Sequence, residues 1–350
     1  MKIFFFTSLR VWLLLTACHD QPAESPGTII AIGQMPAVAT DHSNNIHLVY
    51  GSGDSILYCY SVDEGKTFAV PVLISVVQGL AASHMRGPQI AATNVGLSVT
   101  ACNTEGDIFS FVKDQSGAWS EGSRVNDRDT TAKENLMALA SSGDNVFAVW
   151  LDLRDRHNKI FGARSIDGGK TWAKNIMIYT SPDTTVCECC KPSIAMKGNA
   201  ISIMFRNWLN GNRDLYLVQS LDGGASFGKA QKLGTGSWAL NGCPMDGGAV
   251  VIDKDENPQT VWNRRGTIYS CAPGRQEGEL GKGRSCTMES VNGKNVYAWV
   301  EDGNVVVMKP QGMKKNLGAG QLPVLRAINN DHVVCIWQND KQINKAVVKL

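Results

Sequence analysis

The chain has 350 residues, of which 43% are hydrophobic and 19% are charged, with 35 glycines and 12 prolines. This length and apolar content suffice to bury a substantial core and exclude a disordered chain, and no Gly-X-Y or heptad bias indicates a fibre. The 34 basic residues nearly balance the 32 acidic ones, so the chain lacks the basic stripe that would make nucleic acid an expected partner.

The first 17 residues have the pattern of an export signal. Lys2 and Arg10 surround a phenylalanine run, an apolar core follows, and the segment ends in Leu-Thr-Ala before Cys18. This predicts a secretory signal peptide, because the apolar core is too short to span a bilayer. The Leu-Thr-Ala-Cys ending resembles a bacterial lipobox, which implies that Cys18 becomes the first mature residue and carries a lipid. The alternative is an ordinary signal peptide with an incidental cysteine.

Residues 18–27 are expected to form a polar tether. His19 rather than aspartate follows the cysteine, which in Gram-negative lipoproteins favours the outer membrane over the inner one. No later segment has 18 consecutive apolar residues. We therefore expect a lipid-anchored protein of the bacterial cell envelope that meets the membrane only through its anchor. The mature chain is neutral, since residues 1–17 remove two basic residues and no acid.

Three stretches of the remaining chain share one spaced pattern of Ser, Asp, Gly, a hydroxyl residue and an aromatic. They are Ser61–Phe68, Ser165–Trp172 and Ser220–Phe227, with a decayed copy at Lys113–Trp119. Aspartate accepts backbone N–H groups in a turn, glycine supplies a positive φ, and the aromatic folds back onto a sheet. The pattern predicts equivalent hairpin turns around Asp63, Asp167 and Asp222.

A second repeating feature is a buried strand that ends in an aromatic residue. It occurs at Tyr50, Trp150, Phe205, Trp262, Trp299 and Trp337, and residues 97–100 occupy the remaining position. Period-2 strands at such regular spacing predict an all-β fold, a β-propeller of six or seven blades with seven strand cores. Residues 130–142 have a helical composition, but their place in the repeat predicts a strand. Residues 28–32 are expected to pair with residues 346–350 and to close the ring.

These turns resemble the Asp boxes of sialidase-like (BNR-repeat) propellers, and the resemblance covers roughly residues 30–350. It implies one propeller domain over residues 28–350, with the Asp boxes on outer turns away from the catalytic face. A Cys-x-Cys-Cys run and a Gly-Cys-Pro-Met element mark a recognisable subgroup of sialidase-like lipoproteins. Family sialidases have six blades and use an arginine triad, a Tyr–Glu pair and an aspartate.

The loops at the opposite end of the ring carry several arginines from different blades. Arg86, Arg154, Arg206 and Arg264 are predicted to bind substrate, because a guanidinium fork suits a carboxylated sugar. If the protein is an enzyme, the resemblance implies a glycoside hydrolase of exo-sialidase type, with Glu134 and Asp152 as the candidate catalytic carboxylates. No tyrosine is a clear nucleophile. The alternative is that these charges form ion pairs that orient the loops.

The cysteines support two interpretations. Cys187, Cys189, Cys190 and Cys243 precede the first strands of adjacent blades. In an exported protein, disulfide bonds are expected to link such loops. The alternative is a thiolate site that binds a soft ion such as Cu(I) or Zn with help from Met245. Apart from that soft metal ion, no cofactor is expected.

Three functions therefore remain open from the sequence. The first is a propeller that binds, and in one version hydrolyses, an anionic glycan or another carboxylated ligand. The second is a non-catalytic binding or scaffold lipoprotein, and the third is a thiol-based metal or redox site. Fold analogy alone does not separate them.

Overall fold

The protein is described by a computed structural model, which covers Met1 and residues 27–350. The predicted signal peptide and the predicted lipidation site, Cys18, lie outside the described residues. Within this part of the chain no helix is long and apolar enough to cross a bilayer.

The described residues form seven four-stranded antiparallel sheets. The strand that begins the fold is β1 (Thr28–Ile32). Blade 1 contains β2 (Gln34–Thr40), β3 (Ile46–Ser52), β4 (Ser55–Ser61) and β5 (Val72–Val76). Blade 2 contains β6 (Gln89–Thr93), β7 (Gly96–Cys102), β8 (Ile108–Lys113) and β9 (Ser123–Arg124). Blade 3 contains β10 (Met137–Ser142), β11 (Asn145–Asp152), β12 (Lys159–Ser165) and β13 (Ile176–Tyr179).

The remaining blades repeat this order. Blade 4 contains β14 (Ser193–Lys197), β15 (Ala200–Arg206), β16 (Leu215–Ser220) and β17 (Gln231–Lys232). Blade 5 contains β18 (Ala249–Ile252), β19 (Pro258–Arg264), β20 (Thr267–Cys271) and β21 (Gly278–Lys282). Blade 6 contains β22 (Arg284–Val291), β23 (Lys294–Glu301), β24 (Asn304–Met308) and β25 (Lys314–Ala319). Blade 7 contains β26 (Gln321–Ala327), β27 (His332–Asn339), β28 (Gln342–Lys349) and β1.

The first strands of neighbouring blades contact each other around a complete ring, from β2 through β6, β10, β14, β18 and β22 to β26 and back to β2. They line a central channel of about 580 Å³. The all-β propeller prediction is therefore confirmed, and the blade number, which the sequence left at six or seven, is seven. The strand expected within residues 130–142 is β10, which begins at Met137.

In six of the seven blades the second strand has the largest share of buried residues, as its apolar sequence predicts. Trp150, Trp262, Trp299 and Trp337 are at most 2% exposed, and they belong to apolar clusters that join neighbouring blades. Burial of side chains this large is a major source of stability, since apolar surface contributes about 25 cal/mol per Å² removed from water.

The ring closes between the two ends of the described chain. β1 pairs antiparallel with β28, with Thr28 opposite Lys345 and Ile32 opposite Gln342. The predicted partner strand is correct, but the pairing involves residues 342–345 rather than 346–350. The register follows from the inward side of β1, where Ala31 packs into the apolar cluster between blades 7 and 1.

The three repeated aspartates lie at equivalent turns between the third and fourth strands of blades 1, 3 and 4. In each turn the carboxylate accepts a hydrogen bond from the backbone N–H four residues later, at 2.9 Å for Asp63 and 3.0 Å for Asp167 and Asp222. Each carboxylate also accepts a hydrogen bond from the hydroxyl of the serine two residues earlier, at 2.7–2.8 Å. These bonds to the charged form lower the pKa of all three carboxyls.

The aromatic residues that follow these turns join one blade to the one before it. Phe227 of blade 4 packs edge-on against Phe147 of blade 3, with ring centroids 5.7 Å apart. Trp172 of blade 3 packs on the cluster shared by blades 2 and 3. The turns thus fix the blade interfaces as well as their own hairpins.

Candidate functional site at the channel mouth

The antiparallel order of each blade places two kinds of loop at the same end of the ring. These are the loops between second and third strands and the loops that lead into first strands, here called the mouth loops; they include residues 77–88, 125–136, 153–158, 180–192, 207–214 and 233–248. The repeated aspartate turns lie at the opposite end. Every predicted site residue outside the aspartate turns and the N-terminal segment lies in or directly beside a mouth loop.

Asp152 and Arg154 form a closed ion pair. The Asp152 carboxylate is fully buried and accepts hydrogen bonds from Arg154 Nε at 2.9 Å, from Arg154 Nη2 at 3.0 Å and from the Trp150 indole at 2.9 Å. Arg154 also donates to Asp127 at 3.2 Å and stacks 4.1 Å above the Phe161 ring. This pair orients the loop after β11, as the alternative interpretation of these charges predicts.

Arg206 is 1% exposed and holds two blades together. Its guanidinium donates to the Asp246 carbonyl at 2.9 and 3.2 Å, to the Arg213 carbonyl at 2.8 Å and to the Asn263 carbonyl at 3.0 Å. The side chain was predicted to bind substrate, but these four bonds direct it into the protein between blades 4 and 5.

Arg264 is also engaged by the protein. It forms a bidentate pair with Glu277, one arm of which measures 2.8 Å, and it lies 4.2 Å from the centre of the Tyr269 ring. The hydrogen bond to Glu277 raises the pKa of Arg264 further above its ordinary value.

Arg86 and Glu134 are brought together by the loops before β6 and β10. Arg86 Nε donates to the Glu134 carbonyl at 2.8 Å, and Arg86 Nη2 lies 4.0 Å from Glu134 Oε2. The two side chains are 24% and 27% exposed. Burial raises the pKa of the Glu134 carboxyl, and the negative charge of Glu188 adds to this shift, while Arg86 opposes it. The Arg86 side chain is more exposed than those of Arg154 and Arg264, which are both 14% exposed.

Beside Arg86, a cavity of about 120 Å³ opens where the mouth meets the channel. Its lining includes Met85, Gln89, Lys191 and Asp246. Lys191 Nζ donates to Gln89 Oε1 at 2.7 Å, and burial together with the charge of Arg326 lowers the pKa of Lys191 to about 8. Asp246 accepts the Ser285 backbone N–H at 2.9 Å through Oδ2, whereas its buried Oδ1 has no protein partner among the described residues.

The backbone around this cavity and its neighbour of about 450 Å³ is left-handed at several non-glycine residues. They are Met35 (φ 55°), His84 (φ 44°), Met85 (φ 68°), Met245 (φ 47°), Ser285 (φ 54°) and Leu322 (φ 54°). Such conformations cost about 1–3 kcal/mol each and concentrate at ligand sites. Lys191 and Gln89 are therefore candidate ligand-binding residues. The sequence did not indicate them, because nothing distinguishes either one from any other polar residue next to a proline.

The predicted cysteines converge at the same end. The Cys187 sulfur lies 3.6 Å from both the Cys189 and the Cys190 sulfur, and Cys189 forms a disulfide with Cys243. Arg213 Nη1 donates to Cys187 Sγ at 3.0 Å. The hydrogen bond from Cys190, aided by the charges of Arg213 and Arg206, lowers the pKa of the Cys187 thiol to about 6, against the opposing effect of burial. The pKa of Cys190 is raised, mainly by burial.

The sequence does not match any protein-family model, and no curated protein is significantly similar to it. Several solved structures share the fold. A lectin from Burkholderia pseudomallei aligns with a TM-score of 0.66 and 9% identity, over 92% of this chain and 97% of the lectin. An α-L-arabinofuranosidase from Fusarium graminearum aligns with a TM-score of 0.54 and 14% identity, over 93% of this chain and 98% of that one.

The NanB sialidase from Streptococcus pneumoniae aligns with a TM-score of 0.48 and 10% identity, over 96% of this chain and 72% of the sialidase. The chain thus shares its β-propeller fold with the lectin and the arabinofuranosidase. At these identities the similarity establishes the fold and does not identify a ligand.

Proposed function

We propose that this chain is a lipid-anchored envelope propeller that binds an anionic glycan at the channel mouth and does not hydrolyse it. The observation that carries the proposal is the exposure of Arg86 at the mouth. Its side chain is 24% exposed although it donates to the Glu134 and His84 carbonyls, whereas Arg154 and Arg264 are 14% exposed and paired with carboxylates, and Arg206 is 1% exposed. A carboxylated sugar would place its carboxylate on Arg86 and its hydroxyls on polar groups such as Glu134.

The state of the two candidate catalytic carboxylates supports binding over hydrolysis. In the sialidase-type reaction that the sequence resemblance implies, a Tyr–Glu pair and an aspartate perform the chemistry, in place of the two carboxyl groups that most glycosidases use. Asp152 is fully buried against Arg154 and Trp150, which leaves Glu134 as the accessible member of the predicted pair. Glu134 serves in this proposal as a hydrogen-bond partner for the sugar.

A glycan array that compares sialylated and uronic-acid glycans with their neutral counterparts tests the binding. Arg86→Lys is expected to weaken binding of the acidic glycans by about 1–3 kcal/mol, because lysine keeps the charge but loses the planar fork. Arg275→Lys, at an exposed arginine of blade 5, is the matched control and should bind like the wild type. Equal binding by wild type and Arg86→Lys, or no binding by either, would contradict the proposed site.

Two further assays test the rest of the proposal. A fluorogenic sialoside should not be turned over by the wild type, and turnover that Glu134→Gln abolishes would make the protein a hydrolase. The anchor is tested by growth with labelled palmitate, which should enter the wild type and not Cys18→Ser. Label in the serine variant would exclude Cys18 as the lipidation site.

A further inference from the structure

Four cysteines from two adjacent blades meet beside the mouth. Cys187, Cys189 and Cys190 precede β14 of blade 4, and Cys243 precedes β18 of blade 5. The first three are 0–8% exposed, whereas Cys243 is exposed. Cys187, Cys189 and Cys190 are the one group of three or more potential metal ligands in the described part of the chain whose donor atoms all lie within 4.8 Å of one another.

The sulfur spacing fits a thiolate metal centre. In a tetrahedral site with metal–sulfur bonds of about 2.3 Å, neighbouring sulfurs lie about 3.8 Å apart. Cys187 Sγ lies 3.6 Å from each of its two neighbours in the run. The Met245 side chain packs against the three cysteines and provides a thioether next to them.

The surroundings of the sulfurs suit a negatively charged thiolate centre. Arg213 donates to Cys187 Sγ, and the Asp246 backbone N–H points to Cys190 Sγ at 3.5 Å. Arg213 is itself 6% exposed, and its guanidinium lies 4.3 Å from the centre of the Trp208 ring. Cationic and N–H groups in this position offset the charge of coordinated thiolates and orient them.

We propose that Cys187, Cys189, Cys190 and Cys243 form a binding site for one soft thiophilic cation, Zn(II) or Cu(I), and that the Cys189–Cys243 disulfide closes this site until it is reduced. Its ligands are residues other than Arg86 and Glu134, which the proposed glycan site uses. The disulfide occupies two of the four donors, so the oxidised protein lacks the complete ligand set.

Opening the site requires a dithiol reductant and proceeds by thiol–disulfide exchange. One thiolate of the reductant attacks the exposed Cys243 sulfur, the Cys189–Cys243 bond breaks, and Cys189 leaves as a thiolate. The second thiolate of the reductant attacks the mixed disulfide, so that Cys243 leaves as a thiolate and the reductant becomes a disulfide. The cation then replaces the protons of the cysteine thiols, which pass to solvent.

The test is a metal titration of the full chain before and after treatment with a dithiol, which is then removed. Co(II), as a spectroscopic substitute for Zn(II), should give a thiolate charge-transfer band that saturates at one ion per reduced chain. Cu(I) is titrated in competition with a chromogenic chelator, and the two arms decide which cation is preferred. The oxidised chain should bind at least ten-fold more weakly in both arms.

Cys187→Ser should lower the affinity of the reduced chain at least ten-fold, whereas Cys335→Ala, at a buried core cysteine of blade 7, should not. Because a variant can misfold, alkylation of the reduced wild type followed by mass spectrometry provides a second measurement. Bound metal should protect the four cluster cysteines and leave the labelling of other cysteines unchanged. Absence of binding to the reduced chain, failure of a dithiol to open the disulfide without unfolding, or equal affinity in Cys187→Ser would each overturn the proposal.

Discussion

At the scale of single residues, the protein holds its buried charges in two different ways. Arg154 is neutralised by the Asp152 carboxylate, while the described hydrogen bonds of Arg206 all go to backbone carbonyls. A guanidinium that is satisfied by carbonyls keeps its positive charge in a buried environment. Its field therefore reaches the cysteines nearby and contributes to the lowered pKa of Cys187.

Glu289 in the central channel offers a test of buried charge away from the mouth. Burial raises the pKa of its carboxyl above 4.5, with Arg326 acting in the opposite direction. The native state therefore binds the proton more tightly than the unfolded chain, so this group lowers stability as the pH rises through the window above 4.5. We expect Glu289→Gln to be more stable than the wild type at neutral pH, with a gain that shrinks as the pH falls toward 4.5 and is lost below it.

Urea unfolding of wild type and variant at several pH values measures this difference. Glu121→Gln, at an exposed glutamate, should show no comparable trend. A Glu289→Gln variant that is less stable than the wild type at neutral pH would mean that the electrostatic attraction of Arg326 outweighs the burial of the charge.

The limits of sequence-based prediction are clearest at this scale. The end of the ring at which Arg206 and Arg264 lie is predictable from the repeat, since strand order determines which loops share an end. The hydrogen-bond partners of Arg206 cannot be predicted from the sequence. Asp246 and Asn263 follow Arg206 by 40 and 57 residues, and they accept its hydrogen bonds through backbone carbonyls, which every residue possesses. The convergence of the four cysteines was predictable for the same reason as the loop positions, but their pairing was not.

At the scale of elements, the aspartate turns combine local hydrogen bonds with contacts between blades. The second glycine of each turn, at Gly65, Gly169 and Gly224, has φ between 81° and 92° and faces the preceding blade. The Ser110 hydroxyl of blade 2 donates to the Gly169 carbonyl of blade 3 at 2.9 Å. The sequence motif therefore predicts the turn correctly, while the role of its glycine in blade packing needs the three-dimensional structure.

Gly224→Ala should destabilise the protein by about 2–4 kcal/mol, from the left-handed backbone and from the added carbon. An added Cβ would lie 2.4 Å from the Phe147 ring, which is buried between blades 3 and 4. Gly198→Ala is the matched control, since Gly198 has φ 56° and nothing within 4 Å of an added Cβ. Gly198→Ala should lower the free energy of unfolding by about 1–2 kcal/mol. Chemical denaturation measures both, and equal losses would show that Phe147 yields to the extra carbon without cost.

At the scale of the whole molecule, the ring closes through contacts between distant parts of the chain, since β1 pairs with β28 and β2 of blade 1 packs against β26 of blade 7. Six blades are built from consecutive strands, and blade 7 takes its outer strand from β1. The sequence predicted this closure because a free strand remained at each end of the repeat array, and an unpaired edge is unfavourable. It could not give the number of blades, since the last three strand cores lie closer together in sequence than the others.

Substitutions at two neighbouring residues of β1 distinguish how much the ring closure and the outer surface of the strand each contribute to the stability of the protein. Ala31 is 8% exposed and lies in the apolar cluster between blades 7 and 1, while Ile32 is 59% exposed. Ala31→Asp should cost at least about 2 kcal/mol, because it places a charge in an apolar interface, and it should release β1 from β28. Ile32→Asp should stay within about 1 kcal/mol of the wild type. Thermal unfolding measures the stabilities, and amide hydrogen exchange within β1, the edge strand that pairs with β28, reports the pairing. If these amides exchange no faster in Ala31→Asp than in Ile32→Asp, the ring is held by the blade interfaces alone and β1 is a peripheral strand.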